Sequence, residues 1–210
     1  MQKEVSQAVI KRLPRYYRYL EHLKNNGITK VSSGRLAEML DITASQVRQD
    51  FANFGGFGQQ GYGYDVEKLL KEFSSIIGLD ISHNMIIIGA GNMGRALCGY
   101  KGFKQDGFNV LALFDLKDGM TDSGLPIYEI DKLEDFIHNN RVDIAVITTQ
   151  ASVAHEVVCQ IVELGVKSIW NFAPVDLEVP SDVVVENISM SESLYVLSYK
   201  MKQNMDNNEE

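Results

Sequence analysis

The stretch "IIIGAGNMGRALCGY", residues 86–100, decides the fold of this chain. Its isoleucines predict a buried strand, and Gly89, Gly91 and Gly94 form a GxGxxG pattern where the next helix begins. In such a unit the first glycine permits a tight turn, the second lets the backbone approach a pyrophosphate, and the third lets helix pack on strand. The stretch therefore predicts a dinucleotide-binding turn. Between its glycines lie Ala90, Asn92 and Met93, which we also predict to line the cofactor site.

An acidic residue ends the next predicted strand. Asp115 closes "FNVLALFD" and lies 21 positions beyond Gly94, near the interval of about 20 residues at which a carboxylate binds the adenosine ribose. The same carboxylate repels a 2′-phosphate, so we predict NAD(H) rather than NADP(H) as the ligand. Lys117 weakens this preference, because its charge offsets part of the repulsion.

Strands and helices alternate from residue 84 onward, which is typical of a parallel sheet with helices on both faces. Apolar runs predict strands at 85–88, 109–114, 142–148, 167–171 and 183–185. Helical periodicity marks 92–101, 131–139 and 151–164. The carboxyl ends of the later strands should line the nucleotide crevice, unless they are ordinary strand-to-helix turns. The candidates there are Thr148, Thr149, Asn171, Ala173 and Pro174.

The N-terminal segment has a different pattern. Apolar residues at helical spacing predict a first helix over 5–26, in which Pro14 marks a kink or a late start. Two short helices follow, "SSGRLAEML" and "ASQVRQDFANF", with Ser32 or Ser33 and then Thr43 as their caps. The three-residue turn "DIT" between them has the length found in a helix-turn-helix, whose later helix enters a DNA major groove.

A glycine-rich stretch follows this pair of helices. Gly55, Gly56, Gly58, Gly61 and Gly63 are mixed with aromatic residues, a composition that cannot sustain a helix and suits a tight hairpin. A hairpin after a helix-turn-helix is a wing. We predict that a helix over 65–77 then connects the wing to the sheet domain.

Charge is distributed unevenly along the chain. The net charge is −8, yet residues 1–64 carry nine Lys and Arg against five Asp and Glu. Because an electrostatic field is local, this basic segment can bind a polyanion although the whole chain is acidic. The apolar runs are too short to cross a bilayer and the N-terminus has no apolar export segment. We therefore expect a cytoplasmic protein, in which Cys98 and Cys159 are buried, reduced thiols.

The sequence offers little for catalysis. Among the four histidines, His155 alone follows a strand's carboxyl end closely, and only about 36 residues follow "NFAP". This leaves no room for a substrate domain, so we predict a sensor rather than an enzyme. The alternatives are a small NAD-dependent oxidoreductase using His155, a regulator that senses another nucleotide such as CoA, and a purely structural DNA-binding protein.

The whole pattern resembles the Rex family of bacterial redox-sensing repressors. The resemblance rests on "ASQVRQDFANFGGFGQQGYGY", "GAGNMGRAL", "NFAP" and "VEN". It implies a winged helix-turn-helix domain over 1–80, a Rossmann-like doubly wound NAD(H)-binding domain over 81–188, and a domain-swapped helix over 189–210 in a homodimer. It also implies a repressor that binds operator DNA when free or NAD⁺-bound and leaves it when NADH binds.

The resemblance also assigns residues to the two sites. On the DNA side, Arg48 suits guanine, and Gln46 or Gln49 suits adenine, although some of these positions must contact phosphate instead. The DNA-binding candidates are Ser45, Gln46, Arg48, Gln49 and, at the wing tip, Gln59 and Gln60. On the nucleotide side, Met190 would lie against the nicotinamide. A relay that senses the ring charge maps to Arg18, Tyr100 and Ser189, the last in place of the family's aspartate.

Overall fold

The computed structural model describes residues 5–55, 57 and 63–206. It divides into two compact units, Met1–Ile81 and Ser82–Glu210. The first unit is helical with a small antiparallel sheet, and the second is an α/β unit around a larger sheet.

Five helices and two short strands make up the described part of the first unit. The helices are α1 (Gln7–Ile10), α2 (Leu13–Asn25), α3 (Ser33–Leu40), α4 (Ala44–Ala52) and α5 (Val66–Ile77), and the strands are β1 (Lys30–Val31) and β2 (Tyr64–Asp65). Their apolar faces meet in one core. Its largest fully buried side chains are Tyr16, Leu20, Leu23, Leu36, Phe51, Leu69 and Phe73.

The single first helix that the periodicity predicts is in fact two helices. A break separates α1 from α2, with Arg12 as the N-cap of α2 and Pro14 in its first turn. A proline is tolerated there because first-turn N–H groups have no partner within the helix. Pro14 therefore marks a late start. At the other end Gly27 adopts a positive φ of 71°, the conformation that ends helices at glycine.

The helix-turn-helix is confirmed. The segment from Asp41 to Thr43 joins α3 to α4, and Asp41 turns the chain with a left-handed φ of 56°. The Thr43 hydroxyl accepts a hydrogen bond of 3.1 Å from the N–H of Gln46, and the Ser32 hydroxyl caps α3 in the same way. These caps satisfy first-turn donors, as the sequence predicts.

The wing is described only at its base. Strand β1 pairs antiparallel with β2, and Gly63 lies so close to β1 that a Cβ there would meet the carbonyl oxygen of Val31. Phe57 extends the core, with its ring 5.8 Å from that of Phe51. The predicted wing tip, with Gln59 and Gln60, lies outside the described residues.

The second unit contains a seven-stranded sheet among its described residues. The strands are β3 (His83–Ile88), β4 (Phe108–Asp115), β5 (Gly119–Met120), β6 (Pro126–Glu129), β7 (Ile144–Ile147), β8 (Ser168–Asn171) and β9 (Val184–Asn187). Their order across the sheet is β5-β6-β4-β3-β7-β8-β9. All of these pairings are parallel except that of β5 with β6.

The predicted doubly wound sheet is therefore confirmed. Its six parallel strands have the order 3-2-1-4-5-6 of dinucleotide-binding folds, in which the direction of winding reverses beside the first strand. That reversal lies between β3 and β7, so the crevice opens at their carboxyl ends. Strands β5 and β6 were not predicted, since these short segments flank a turn and lack a long apolar run.

Helices cover both faces of the sheet. They are α6 (Asn92–Cys98), α7 (Gly102–Gln105), α8 (Leu133–Asn139) and α9 (Ala151–Glu163), with a short 3₁₀ turn at Ile130–Lys132. Alternate side chains of β3 point to opposite faces, with Ile86 and Ile88 toward α8 and α9 and Met85 and Ile87 toward α6. This alternation explains why the strand is apolar throughout.

The last helix, α10 (Met190–Asp206), has no buried residue along its described length. Among the described residues, no helix is long and apolar enough to cross a membrane. The prediction that both cysteines are buried is wrong for Cys159: Cys98 is buried, but Cys159 lies on the exposed face of α9. Apolar neighbours in sequence do not bury it, because successive helical residues point in different directions.

Candidate functional site

The glycine turn between β3 and α6 is built by close backbone contacts. Gly89 has a φ of +104°, and a side chain there would meet Thr148 at the end of β7. A Cβ on Gly94 would collide with the carbonyl oxygen of Gly89, so this glycine lets α6 pack directly on the turn. Gly91 differs, because a Cβ there would enter open space. The fold thus requires Gly89 and Gly94, whereas Gly91 keeps the approach to the backbone clear.

The peptide of Ala90 is held on both sides. Asp115 Oδ2, at the end of β4, accepts a 2.6 Å hydrogen bond from the Ala90 N–H, while Arg95 Nε donates one of 2.8 Å to the Ala90 carbonyl oxygen. The other carboxylate oxygen, Oδ1, accepts from the N–H of Leu116. Each carboxylate oxygen has two lone pairs, so capacity remains for a ribose hydroxyl. Asp115 therefore stabilises the turn beside which it would bind a nucleotide.

The two threonines after β7 have different surroundings. The Thr148 hydroxyl lies within donating distance of the carbonyl oxygens of Ile88 and Gly89, at 3.0 and 2.9 Å, and so clamps β3 to β7 at the crevice. The Thr149 hydroxyl is the one buried side-chain polar atom among the described residues for which no partner is found. A buried polar group without a partner is costly unless a ligand or water supplies one.

Asn171 organises the neighbouring strand ends. It is 1% exposed, and its side-chain amide donates to the carbonyl oxygen of Val175 and to Asn187 Oδ1, while its Oδ1 accepts from the N–H of Ala173. Asn171 thus holds β8, β9 and the turn between them together. Ala173 is buried beside it and Pro174 is exposed.

These features fit a dinucleotide. Open space at Gly91 and the partnerless Thr149 hydroxyl lie on the two elements that flank the reversal point of the sheet. Gly91 is the N-cap of α6 and has no side chain to cap the helix. The first-turn N–H groups of α6 therefore remain able to bind a phosphate. Asn92 is exposed there and Met93 is half-buried.

The candidate relay residues lie in both units. Arg18 is exposed on α2 in the first unit. In the second unit, Tyr100 is exposed and its ring meets that of Phe103 edge-on at 4.8 Å. Ser189 is also exposed, and its hydroxyl accepts a 3.3 Å hydrogen bond from the N–H of Glu192, which caps α10. Met190 is exposed at the start of that helix.

Arg48 is positioned on the exposed side of α4. Its Nη1 donates to the Ser33 hydroxyl at 3.1 Å, and its Nη2 donates to the Ser45 hydroxyl at 3.0 Å. Gln49 is exposed on the same helix, and Gln46 is half-buried. The guanidinium is therefore held by both helices of the helix-turn-helix. Because its side chain is already ordered, a contact between Arg48 and DNA would cost less conformational entropy.

A buried aspartate on the inner face of α4, Asp50, was not among the predicted site residues. Asp50 is 2% exposed, and both of its oxygens accept from Arg12 at 2.7 Å, while Oδ2 also accepts from the Tyr16 hydroxyl at 2.9 Å. Burial, with the bond to Asp50 second, raises the pKa of Tyr16, and the bond to Asp50 raises the pKa of Arg12. The signal was present, because Asp50 lies on the same helical face as Val47 and Phe51.

His155 lies on the surface of the second unit. It is exposed on α9, and its Nε2 is 3.7 Å from the sulfur of Cys159, one helical turn on. Among the described residues, no cluster of three or more His, Cys, Asp or Glu side chains can hold a metal ion.

Comparison with known proteins gives matches to each unit and to nearly the whole chain. The family models "Putative DNA-binding protein N-terminus" and "CoA binding domain" match residues 4–52 and 80–175. The redox-sensing transcriptional repressor Rex of Clostridioides difficile (strain 630) is 50% identical over 204 residues, 96% of this chain and 97% of that protein.

Solved structures match equally well. RSP is described as a Rex-family repressor. Its crystal structure with beta-NAD⁺ and operator DNA has a TM-score of 0.91 at 44% identity and covers 99% of this chain and 97% of that one. The structure of RSP with beta-NADH has a TM-score of 0.90 at 41% identity and covers 99% of each chain.

A helix-turn-helix unit joined to a dinucleotide-type α/β unit defines a class, the DNA-binding regulators that carry a nucleotide-binding domain. The close relatives of this chain are named as transcriptional repressors. The chain belongs to the Rex family of redox-sensing transcriptional repressors, as the resemblance in its sequence predicts.

Proposed function

We propose that this protein is a repressor that binds operator DNA when free or NAD⁺-bound and leaves it when NADH binds. One observation carries the proposal: a single chain joins a helix-turn-helix unit to a sheet whose first turn and strand-end acid, Asp115, suit NAD(H). RSP has been crystallised with beta-NAD⁺ and operator DNA together and with beta-NADH. These complexes support operator DNA, NAD⁺ and NADH as the ligands of this protein.

Helix α4 would read the operator from the major groove. Arg48 faces outward and is already held by two hydroxyls, so it can grip a guanine edge in a bidentate way. Ser45 and Gln49 are exposed beside it and can contact bases or phosphates. From the sequence, Gln46 and the wing-tip glutamines Gln59 and Gln60 complete the proposed contacts.

The nucleotide would lie across the carboxyl ends of β3, β4 and β7. The backbone from Gly89 to Gly94 would bind the pyrophosphate, Asp115 the adenosine ribose, and the Thr149 hydroxyl would find in the ligand the partner it lacks. Thr148 and Asn171 would act differently, since their polar atoms already hold the strands that frame the crevice. Ala173, Pro174 and Met190 complete the proposed lining.

NADH and NAD⁺ differ by a hydride and by the positive charge on the oxidised ring, and we propose that this protein discriminates between them by the charge. Arg18, Tyr100 and Ser189 are the proposed sensors of that charge. Serine adds no negative charge of its own, so we propose that this protein favours NAD⁺ less strongly than relatives with an acid at that position.

The active form would be a homodimer that exchanges its last helices. Leu194, Leu197 and Met201 of α10 are each more than half exposed, and no described residue of this helix is buried within its own chain. An apolar surface of this extent marks a protein–protein interface. We propose that a second copy of the chain covers it.

Ligand control would follow from differential affinity. NADH releases the operator only if it binds the DNA-incompetent state more tightly than the competent one, since equal affinity shifts nothing. A change in the separation of two α4 helices would then move them off half-sites spaced by one helical turn or a multiple.

We propose that the chain is a regulator and not an enzyme, since its relatives are named as repressors. His155, the histidine that an oxidoreductase would use, lies exposed on α9 with Cys159 as its neighbour. The match to a CoA-binding family model makes CoA the competing ligand. We expect the protein to act in the cytoplasm, where a bacterium keeps both its DNA and its NADH.

The test is an operator-binding titration. A duplex is first selected from a random-sequence pool with the nucleotide-free protein. Its affinity is then measured at one stated salt concentration over a range of NADH/NAD⁺ ratios, because salt alone changes DNA affinity strongly. NADH should release the duplex, whereas NADPH and CoA should not. Release by CoA, or none by NADH, would overturn the proposal.

A further inference from the structure

The Arg12–Asp50 contact joins two helices with different roles. Arg12 is the N-cap of α2, and Asp50 lies in α4, 38 residues further along the chain. Two parallel hydrogen bonds of 2.7 Å connect them, and Tyr16, one turn into α2, adds a third from its hydroxyl. Two neighbouring positions of α2 are therefore tied to a single carboxylate of α4.

This contact is more directional than the core around it. Phe51 of α4 packs edge-on against Tyr16 and Phe73, with ring centroids 5.2 Å apart in each case. The edge-on pairs prefer a broad range of angles, whereas a bidentate hydrogen bond from arginine to carboxylate fixes the orientation of both groups more tightly. The core thus holds α4 in place, and the ion pair specifies how α4 is oriented on α2.

Helix α2 also carries Arg18, the first-unit member of the proposed relay. Arg18 is exposed, whereas Tyr16, two residues earlier on the same helix, is fully buried. Because α2 is continuous from Leu13 to Asn25, a displacement applied at Arg18 moves Tyr16 and the helix start together. The contact then passes this displacement to α4.

We propose that Arg12 and Asp50 are positioning residues that transmit the nucleotide state from α2 to the DNA-reading helix. They touch neither DNA nor nucleotide in this role and act through α4. The inference rests on the proposed function and deepens it by naming the mechanical link within the first unit. It predicts that the response to NADH can be lost while NADH binding and folding are retained.

The test replaces the pair with apolar side chains. In Arg12→Met/Asp50→Leu both charges are removed together, so no buried charge is left alone, and apolar replacement of a buried ion pair is often neutral for stability. The Tyr16 hydroxyl also loses its acceptor, so the unfolding measurement must show that this double remains folded. The matched control is Lys24→Gln/Glu67→Gln, which removes an exposed ion pair of 3.4 Å between α2 and α5. Both doubles leave the net charge unchanged.

Each full-length variant is measured for thermal unfolding, NADH affinity, and affinity for the selected duplex with and without saturating NADH. NADH should weaken operator binding by about 5- to 150-fold in the unaltered protein, the usual range of an allosteric coupling. In Arg12→Met/Asp50→Leu, the fold by which NADH weakens operator binding should drop below about a third of the value for the unaltered protein, while NADH affinity stays the same. Lys24→Gln/Glu67→Gln should show the same NADH effect as the unaltered protein.

A folded apolar double with an unchanged NADH factor would overturn the inference. If that double fails to fold, Arg12→Lys decides, because lysine keeps the charge but cannot form the two-pronged contact. It should show a reduced NADH factor, and a full factor would contradict the role. An unaltered protein whose operator binding ignores NADH would instead overturn the proposed function and the inference with it.

Discussion

Asp115 Oδ2 accepts a hydrogen bond of 2.6 Å from the main-chain N–H of Ala90. The acid that the sequence assigns to the ribose therefore also holds the peptide at the centre of the glycine turn. A carboxylate that binds the turn is already oriented before a nucleotide arrives. The same group supports the loop and is proposed to repel a 2′-phosphate. Changes at this position should therefore separate loop geometry from nucleotide selectivity.

Asp115→Asn tests that separation. The amide oxygen can still accept from the Ala90 N–H, but the negative charge is gone. NADPH affinity should rise relative to NADH by about tenfold, or about 1.4 kcal/mol, as measured by calorimetry. Asp118→Asn, an exposed acid three residues on, is the control and should leave the ratio unaltered. An unchanged ratio in Asp115→Asn would show that the charge does not set the selectivity.

Gly91→Ala should reduce NADH affinity without changing stability, whereas Gly94→Ala should reduce stability. A Cβ on Gly91, whose φ is −70°, meets nothing within 4 Å, so the fold should be unaffected while NADH affinity falls by at least about tenfold through the lost phosphate approach. A Cβ on Gly94 meets the Gly89 carbonyl, and overpacking of this kind costs about 1–3 kcal/mol. Denaturant unfolding and NADH titration measure the two effects. Equal losses of stability would refute the distinction.

Arg48→Ala should weaken operator binding by about 1–3 kcal/mol, the range of a bidentate base contact. Ser33→Ala, which removes one of the hydroxyls that hold the guanidinium, should have a smaller effect in the same direction. Fluorescence anisotropy with the selected duplex at fixed salt provides the measurement. Lys68→Ala removes the same charge from an exposed site on α5 and serves as the control. Equal losses in Arg48→Ala and Lys68→Ala would indicate a general charge effect.

The Tyr16 phenol should make the protein sensitive to alkali. Burial raises its folded pKa above the ordinary value of 10.0, so the unfolded chain ionises first as the pH rises. The stabilising contribution is complete below that value, and above it the free energy of unfolding falls by at most about 1.4 kcal/mol per pH unit. Tyr16→Phe should have a flatter profile in urea unfolding above pH ~10.

Tyr100→Phe is the control for the alkaline experiment, which is run without nucleotide. Tyr100 is exposed and lies outside α10, and its replacement should leave the profile unchanged. Tyr16→Phe should also be less stable at neutral pH by about 1 kcal/mol, since Asp50 loses a hydrogen bond. If the free energy of unfolding falls equally steeply above pH ~10 in the unaltered protein and in Tyr16→Phe, Tyr16 is not the source of the alkaline sensitivity.

Ser189→Asp tests the proposed charge sensor. Aspartate caps helices as well as serine does, so α10 should keep its start. The added negative charge should strengthen NAD⁺ binding relative to NADH binding, as calorimetry with each nucleotide would measure. Ser181→Asp places the same charge at an exposed position before β9, at the edge of the sheet opposite the strands' carboxyl ends, and should leave the ratio as it was. Identical ratios in the two variants would remove Ser189 from the relay.

Local signals in the sequence were sufficient for much of the fold. The caps at Ser32 and Thr43, the glycine turn and the alternation of strands and helices each depend on residues close in sequence. The short strands β5 and β6 were missed because their pairing depends on a sheet edge. The exposure of Cys159 was predicted wrongly because it depends on how α9 is oriented against the sheet.

The sequence by itself determined the fold class and the family, because periodicity, capping and glycine spacing are local properties. The residues offered to DNA and nucleotide remain predictions from the same patterns. Tertiary structure alone decided that Asp115 bonds Ala90, that Asn171 is bound to Asn187, and that Arg12 and Tyr16 converge on Asp50. Each of these contacts joins segments at least 16 residues apart. Such partners are chosen by the packing of strands and helices, which no local pattern encodes.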